Sequence, residues 1–405
     1  MNDRHDTTHF SFKIALACGG TGGHLFPGVA VADVLKQNGH EVLLILSDKK
    51  VDRAAAASLG HPSITLPSVA WQKGKRLRFL FGFPKVLRQC RRVFHEHRPD
   101  AVLAMGGFTS LAPVLTARRM KKPVFLHESN AFPGRAIRML ARWADMGFVG
   151  FDKTISRIPG VPCHVTGTPV RETLRHLNRE ACCHSLGFQA DRPVLLVTGG
   201  SQGALAINRL MLANLGKIKE TFPDLQVMHL CGLNEDLDEV RKKYDHHGID
   251  ARVHDFFDRM DLALGAATAA IGRSGASFMA ELVAAGLPSM LIPFPYAADN
   301  HQLENALSLS ESGAAVYFDE QTPDADVFLR NLETLLKDTT QRASMREAML
   351  GMDHPDSAQM IVSHISTFVG SRLPMGKVSI PSDSKESTFD RSSEPQSIRH
   401  ISTAS

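Results

Sequence analysis

Two glycine-rich segments occupy equivalent places in the two halves of the chain. The first, ALACGGTGGHLFPG (residues 15–28), follows an apolar run and precedes a segment with helical spacing. The second, VLLVTGGSQGALAIN (residues 194–208), repeats this order of strand, glycines and helix. Because a strand that turns directly into a helix is the building unit of a parallel sheet, the repeat predicts an α/β protein with two Rossmann-like domains.

Short apolar runs alternate with segments of helical period through both halves. This alternation is typical of parallel sheets covered by helices. A stretch rich in proline, glycine and threonine, residues 161–171, separates the halves, so we place a domain boundary near Arg171. The predicted strands cover residues 12–17, 41–46, 101–105, 123–127 and 147–151, then 193–198, 225–230, 252–254, 269–271, 289–293 and 314–318.

The composition is that of an ordinary globular protein. With 405 residues, of which 43% are hydrophobic and 22% charged, the chain is long enough for two full cores. Six cysteines without C-x-x-C spacing favour a reducing compartment. The chain has neither a long apolar run nor a signal-like N-terminus. We therefore expect a cytoplasmic protein. A net charge of +4 is too small to indicate a nucleic-acid partner, and we expect none.

The two glycine segments do not match the common nucleotide motifs. The first has Leu25 where G-x-G-x-x-G requires its third glycine, the second is spaced differently, and neither is a G-x-x-x-x-G-K-[ST] loop. What remains is an anion site made by backbone N–H groups at a helix N-terminus, to which glycine allows close approach. The alternative is that these glycines serve only tight packing.

A third turn, in residues 271–306 (IGRSGASFMAELVAAGLPSMLIPFPYAADNHQLENA), carries more chemistry. Backbone N–H groups at residues 273–276 suit a diphosphate, and Glu281 is placed further along the same helix to accept hydrogen bonds from ribose hydroxyls. Asp299, His301 and Gln302 follow the next strand and suit sugar hydroxyls. This order of groups favours a nucleotide-sugar site.

Five motifs together resemble the MurG family of peptidoglycan N-acetylglucosaminyltransferases: GGTGGHLFPG, HESN, GTPVR, GGSQGALAIN and the third turn. The resemblance runs from about residue 13 to about residue 369. It implies a GT-B fold, two Rossmann-like domains facing a cleft. It also implies transfer of GlcNAc from UDP-GlcNAc to the 4-hydroxyl of undecaprenyl-pyrophosphoryl-MurNAc-pentapeptide, with inversion, without a metal and without a cofactor.

The resemblance also implies how the chain is divided. Residues 1–170 would form the acceptor and membrane-facing domain and residues 171–352 the UDP-GlcNAc-binding domain. Residues 353–370 would return as a helix to the first domain, and the Ser- and Pro-rich residues 371–405 would be a disordered tail.

Transferred by motif, the UDP-GlcNAc-binding residues come from six places in the chain. Two departures from the family pattern, Ser129 and Phe108, affect the acceptor side. The implied donor residues are Thr21, Gly22, Gly23, Asn130, Arg171, Ser201, Phe257, Ala276, Ser277, Phe278, Met279, Ala280, Glu281 and Gln302.

Two residues are candidates for the general base that deprotonates the acceptor hydroxyl. His24 lies at a helix N-terminus, where the helix dipole disfavours imidazolium and keeps the ring neutral. Glu128, in the HESN motif, is the rival. The alternatives are a histidine that only packs in its loop and a carboxylate that only orients the loop around Asn130.

Two D-x-D matches bear on metal use, since metal-dependent glycosyltransferases place such a motif at a strand end. Both Asp236-Leu237-Asp238 and Asp324-Ala325-Asp326 fall in acidic, helix-like segments. We therefore interpret them as solvated surface carboxylates, which leaves Arg171 and helix N-termini to stabilise the leaving group.

Residues 71–92, WQKGKRLRFLFGFPKVLRQCRR, contain eight Lys or Arg and no acidic residue. Cations interleaved with aromatic side chains suit an anionic membrane surface, which a lipid-linked acceptor also requires. A nucleic-acid patch and a core face with solvated cations are the alternatives. The predicted membrane patch is Trp71, Lys75, Arg76, Arg78, Phe79, Phe81 and Phe83, which would hold the enzyme on the cytoplasmic face of the cell inner membrane.

Three other functions remain open on the sequence. A non-hydrolysing UDP-GlcNAc 2-epimerase shares the fold and the donor but needs no lipid acceptor. Another GT-B UDP-sugar transferase would differ in its acceptor, and a nucleotide-sugar sensor would need no base.

Overall fold

The computed structural model describes residues 10–20, 22–49, 52, 60–67, 76–200 and 203–372, with the backbone alone for residues 76–80. The described strands form two parallel sheets, one in each half of the chain, which confirms the predicted fold class. They are β1 Lys13–Ala17, β2 Glu41–Ser47, β3 Ser63–Leu66, β4 Ala101–Ala104, β5 Val124–Glu128, β6 Met146–Val149, β7 Cys163–Val165, β8 Val194–Thr198, β9 Gln226–Leu230, β10 Asp250–His254, β11 Ala269–Gly272, β12 Ser289–Leu291 and β13 Ala315–Tyr317.

Helices connect these strands. The described α-helices are α1 Gly22–Gln37, α2 Arg76–His97, α3 Leu111–Arg119, α4 Arg135–Leu140, α5 Arg179–Leu186, α6 Leu205–Ala213, α7 Leu215–Thr221, α8 Leu237–His246, α9 Met260–Ala266, α10 Ala276–Ala285, α11 His301–Glu311, α12 Ala325–Leu336, α13 Thr339–Gly351 and α14 Ser357–Gly370. Short 3-10 helices complete several connections.

The strand orders place the glycine-rich turns at special positions. The first sheet runs β3-β2-β1-β4-β5-β6-β7 and the second β10-β9-β8-β11-β12-β13. The order reverses direction between β1 and β4 in one sheet and between β8 and β11 in the other. Ligands of open α/β sheets bind at the carboxyl ends of the strands at such a reversal. The turns after β1, β8 and β11, which are the three turns predicted from the sequence, all leave those ends.

Burial on both faces explains why the central strands were predictable. β4, β5 and β8 are buried along their whole length, so their sequences are almost continuously apolar. Two strands were missed. β3 has two exposed residues, one half-buried residue and only one buried residue, Leu66. β7, within the segment interpreted as a linker, is three half-buried residues at the sheet edge.

The last described helix packs on the first domain although it follows the second. Ile361, Val362 and Ile365 of α14 are fully buried in the same core cluster as Ile14 and Leu16 of β1. The chain therefore passes between the two domains twice. The two connecting segments touch at Gly167 and His354. Gly167 has φ 74°, and a Cβ on this residue would come within 2.4 Å of the His354 Cβ.

Within the described part of the chain, no helix is long and apolar enough to cross a membrane. Of the predicted tail, only Ser371 and Arg372 are described, and they form a turn after α14. Residues 373–405 lie outside the described residues.

Candidate active site

The turn after β1 is held by a residue that the motifs do not contain. Asp52 is fully buried, and its Oδ2 accepts hydrogen bonds from Gly20 N (2.7 Å), Ser47 N (2.9 Å) and Ser47 Oγ (2.5 Å). On the other side, Lys49 Nζ donates to Gly20 O at 2.7 Å. The turn is thus fixed from both its N–H and its carbonyl side.

His24 stands in the first turn of α1, against the chain that leaves β4. Its half-buried ring faces Gly106 and Gly107, and a Cβ at Gly106 would come within 2.8 Å of the ring. Burial lowers the pKa of His24 to about 4, and the positive charge of Lys49 acts in the same direction. The imidazole is therefore neutral at pH 7, and burial is the main cause rather than the helix dipole invoked from sequence. The pairing with Gly106 was not foreseen.

Glu128 ends β5 and is 5% exposed. Its Oε1 accepts from the backbone N (2.9 Å) and Nδ2 (2.7 Å) of Asn130, and its Oε2 accepts from Gly134 N at 2.7 Å. Burial raises the pKa of this carboxyl, while the hydrogen bonds from Asn130 and Gly134 lower it. Both oxygens are committed to shaping the loop that carries Asn130.

Asn305 joins this loop to the second domain. It is fully buried, its Nδ2 donates to Asn130 Oδ1 and to Ser274 O, both at 3.1 Å, and its Oδ1 accepts from Ala131 N at 3.0 Å. Asn305 lies within the third turn, where its residue type alone indicates no role. One amide thus aligns the HESN loop with the turn that precedes α10.

The turn after β11 is open on its ligand side. Gly275 begins α10 with φ −69° and ψ 134°, and a Cβ there would meet nothing within 4 Å. Ser274 Oγ donates to Gln302 O (2.7 Å), and Gln302 Oε1 accepts from Phe294 N (2.9 Å), so Gln302 supports the turn. The N–H groups in the first turn of α10 have no partner within the helix, so this end is suited to bind an anion.

Glu281 and Arg171 meet where α10 approaches α1. Arg171 Nη2 lies 4.0 Å from Glu281 Oε1, and the guanidinium lies over the ring of Phe26 on α1, 4.8 Å from its centroid. Burial raises the pKa of Glu281 to about 7, although Arg171 lowers it. Among the described residues, Nε and Nη2 of Arg171 are buried without a hydrogen-bond acceptor. A ligand oxygen would satisfy them.

Helical spacing divides the other predicted α10 residues between two sides of the helix. The side of Glu281 also carries Ser277 and Phe278. The opposite side carries Ala276, Met279 and Ala280, which line a cavity of about 440 Å³ between the domains together with Phe151 and Thr168. Met279 is 2% exposed and belongs to the core of the second domain. The six consecutive residues therefore do not form one ligand-facing surface.

Both halves of the chain match domains of one glycosyltransferase family. Residues 14–149 match the glycosyltransferase family 28 N-terminal domain, and residues 194–361 match the C-terminal domain. A Geobacter metallireducens protein is 35% identical over 88% of this chain and 98% of its own length, and one from Geobacter sulfurreducens is 36% identical over 87% and 98%. Both are named UDP-N-acetylglucosamine--N-acetylmuramyl-(pentapeptide) pyrophosphoryl-undecaprenol N-acetylglucosamine transferase.

The chain belongs to the MurG family, within glycosyltransferase family 28.

Solved structures agree with this assignment. MurG of Acinetobacter baumannii is 26% identical, with a TM-score of 0.66, over 88% of this chain and 99% of its own. A putative UDP-N-acetylglucosamine 2-epimerase from Listeria monocytogenes has a TM-score of 0.68 over 89% and 97%, but at 15% identity it shows a shared fold alone. The two facing parallel sheets are the GT-B fold.

The remaining residues implied by the family lie in different surroundings. Gly22 and Gly23 are the first two residues of α1. Phe257 follows the edge strand β10, where its ring lies 5.2 Å from that of His254 and packs against the domain core. Thr21 and Ser201 lie outside the described residues.

The two D-x-D matches are helix caps, as a surface role predicts. Asp236 accepts from the N–H groups of Asp238 and Glu239 at the start of α8. Asp324 accepts from those of Asp326 and Val327 at the start of α12. Across the described ranges, no group of three or more His, Cys, Asp or Glu residues is arranged to hold a metal ion.

Helix α2 carries the described part of the predicted membrane patch. Phe81 is 78% exposed, whereas Phe83 packs half-buried against the core of the first domain. Trp71 and Lys75 lie outside the described residues, as do the side chains of Arg76, Arg78 and Phe79.

Proposed function

We propose that the protein transfers GlcNAc from UDP-GlcNAc to the 4-hydroxyl of undecaprenyl-pyrophosphoryl-MurNAc-pentapeptide, with inversion. Its Geobacter relatives are named for this transfer. The main structural support is the guanidinium of Arg171, which is buried between α1 and α10 with two N–H groups lacking an acceptor. A nucleotide diphosphate that begins at the N-terminus of α10 would supply those acceptors.

His24 is the better placed base. The neutral ring is half-buried at the cleft face of the first domain, whereas both oxygens of Glu128 are engaged by the loop. In the proposed step the acceptor 4-oxygen attacks C1 of GlcNAc, its proton passes to His24, and the bond from C1 to the diphosphate oxygen breaks. Arg171 and the start of α10 stabilise the negative charge on the departing UDP. A single displacement inverts the configuration at C1.

The donor would be held mainly by the second domain. Glu281 lies on the side of α10 that meets Arg171, next to the proposed diphosphate site. Glu128 and Asn305 act as positioning residues, because they fix the loop of Asn130 against the donor turn.

We further propose that the protein docks reversibly on the cytoplasmic face of the inner membrane through α2. Phe81, Lys85, Arg88 and Arg92 recur at intervals of four, three and four residues, so they share one exposed face. Each cation near an anionic surface contributes about 1 kcal/mol, which is enough for docking and too little for permanent anchoring.

The test is transfer of label from UDP-GlcNAc to a lipid-linked MurNAc-pentapeptide acceptor in anionic vesicles. Label should enter the lipid only when the acceptor is present. Formation of UDP-ManNAc without acceptor would identify an epimerase instead.

The same vesicles test the membrane contact. Replacing Lys85, Arg88 and Arg92 with glutamine should release the protein at a lower salt concentration, with UDP affinity unchanged. The matched control replaces three exposed lysines of the second domain, Lys217, Lys242 and Lys337. If both triple variants bind vesicles as the parent does, the contact lies elsewhere.

A further inference from the structure

Two arginines of the first domain converge on one carboxylate of the second. Arg135 donates to Asp299 through Nε (3.2 Å, Oδ2) and Nη2 (2.9 Å, Oδ1), and Arg138 Nη2 donates to Oδ2 at 2.5 Å. The guanidinium fork fits carboxylate and phosphate oxygens equally well. Neither arginine is part of the motifs that carry the family resemblance.

The ion pairs of Asp299 are partly exposed, and the carboxylate stands in an unusual turn. Asp299 and Asn300 have φ values of 55° and 53°, the left-handed region that, after glycine, Asp and Asn adopt most readily. Arg135 and Arg138 keep 66% and 38% of their side-chain surface exposed, and ion pairs this exposed contribute little to stability. A ligand that carries more negative charge can therefore displace Asp299.

The arginine pair lies close to the proposed reaction centre. His301, two residues after Asp299, is near enough to influence the pKa values of both His24 and Glu128. Arg138 is also held in place, because its guanidinium lies 5.1 Å from the centroid of the Phe132 ring.

We propose that Arg135 and Arg138 bind the diphosphate of the lipid-linked acceptor, and that Asp299 occupies their fork when the acceptor is absent. This inference rests on the proposed function. The diphosphate is attached to C1 of the same sugar whose 4-hydroxyl reacts, so it must lie about one sugar ring from the base. The donor also has a diphosphate, but its proposed place is at α10 and Arg171, in the second domain.

The first test is the KM of a short-chain, lipid-linked MurNAc-pentapeptide acceptor. Arg135→Gln and Arg138→Gln should each raise this KM about tenfold or more, since a hydrogen bond to a charged group is lost. The KM of UDP-GlcNAc should stay unchanged. Arg142→Gln is the matched control, because Arg142 follows α4 directly, donates to Met139 O and lies over Trp143.

The second test is direct binding of geranyl diphosphate to protein saturated with UDP, which fills the donor site. The two arginine variants should bind it more weakly than the parent and Arg142→Gln. Asp299→Asn should bind it more tightly, because the internal competitor loses its charge.

The effect of Asp299→Asn on geranyl diphosphate binding should be opposite to that of the arginine variants. This distinguishes the proposal from an ion pair that only holds the two domains together. If Asp299→Asn weakens geranyl diphosphate binding as the arginine variants do, the contact only holds the domains together and the proposal is overturned. It is overturned as well if the arginine variants bind like the parent, or if they lose UDP affinity, which would assign the arginines to the donor. A parent that fails to transfer GlcNAc yet binds geranyl diphosphate through these arginines would refute the proposed function and leave the anion site standing.

Discussion

The turns after β1 and β11 have the same local design and use their glycines in opposite ways. In the first, a Cβ at Gly19 would lie 2.3 Å from Ser47 N, and one at Gly28 would lie 2.7 Å from Cys18 Cβ. In the second, a Cβ at Gly275 would meet nothing within 4 Å. Gly19 lets the first turn touch the backbone of β2, and Gly28 lets α1 touch the side chain of Cys18, whereas Gly275 leaves space in front of a helix N-terminus.

The difference assigns separate tasks to the two turns. The first is a rigid support that fixes α1, and with it His24, relative to β2 and the chain after β4. The second leaves the N-terminal end of α10 open. Tight packing therefore accounts for Gly19 and Gly28, whereas Gly275 leaves room that a ligand could fill.

The largest expected effect comes from adding one methyl group to each turn. Gly19→Ala should destabilise the first domain by about 3 kcal/mol or more, because its Cβ would meet backbone that cannot rotate away. Gly275→Ala should change stability by less than about 0.5 kcal/mol, since alanine readily adopts φ −69° and ψ 134°. Urea unfolding followed by tryptophan fluorescence reports on Gly19→Ala, because both tryptophans, Trp71 and Trp143, belong to the first half of the chain. Circular dichroism, which follows the helices of both domains, reports on Gly275→Ala.

For UDP affinity, the two alanine substitutions should rank in the reverse order, with the larger effect at Gly275. Gly275→Ala should weaken UDP affinity about tenfold, equivalent to roughly 1.4 kcal/mol, because the methyl group occupies the space before the helix. A Gly275→Ala protein that binds UDP like the parent would remove the basis for placing the ligand at this turn.

The fold was predictable wherever burial imposed a continuous apolar sequence. β4, β5 and β8 illustrate this, since helices cover both faces of each strand. β3 and β7 were missed because an edge strand needs only a few partly buried residues, so no apolar run marks it.

Replacement of His24, which the first turn holds in place, tests the role of that turn in catalysis. His24→Ala should lower kcat about a hundredfold with UDP affinity nearly unchanged, which is the usual contribution of a general base. Because the pKa of His24 is lowered to about 4, the ring becomes protonated only well below pH 6. In the parent, kcat at saturating UDP-GlcNAc should therefore stay level as pH falls from 8 to about 5, and decline near pH 4.

Glu128→Gln is the control, because it removes the rival carboxylate and keeps its size. It should affect acceptor KM more than kcat, since an amide has only one acceptor oxygen and cannot accept from both Asn130 and Gly134 as the carboxylate does. A fall in kcat larger than that of His24→Ala at equal UDP affinity would exchange the two roles. A decline of kcat at saturating UDP-GlcNAc near pH 6.5 would contradict the neutral imidazole of His24.

The site was predictable only as far as its motifs reach. His24, Glu128 and Glu281 follow strand ends within recognisable segments. The structure adds Asp52, Asn305 and the arginine pair, which act through contacts with residues 5 to 175 positions away in the sequence. The longest separation is that between Asn130 and Asn305. No local sequence pattern indicates such contacts. Tertiary structure alone brings them to the cleft.

The smallest expected effect concerns Glu281, on the helix that the open turn begins. Its carboxyl has a pKa raised to about 7 by burial, so it is mostly protonated at pH 6 and mostly ionised at pH 8. Ribose hydroxyls that donate to it require the ionised form. The apparent affinity for the donor is therefore reduced in proportion to the fraction of the protein in which this carboxyl is ionised. The donor KM of the parent should thus fall several-fold, at most about tenfold, between pH 6 and pH 8.

Glu281→Ala separates this titration from that of any other group. It should raise the donor KM with kcat nearly kept, because contacts to the ribose are the same in the ground and transition states. Its KM should no longer depend on pH between 6 and 8, since the titrating carboxyl is gone. If the pH dependence persists, another group near α10 titrates. If kcat falls while KM is unchanged, Glu281 acts on the bond being broken, and the open turn is part of the chemistry rather than only a donor support.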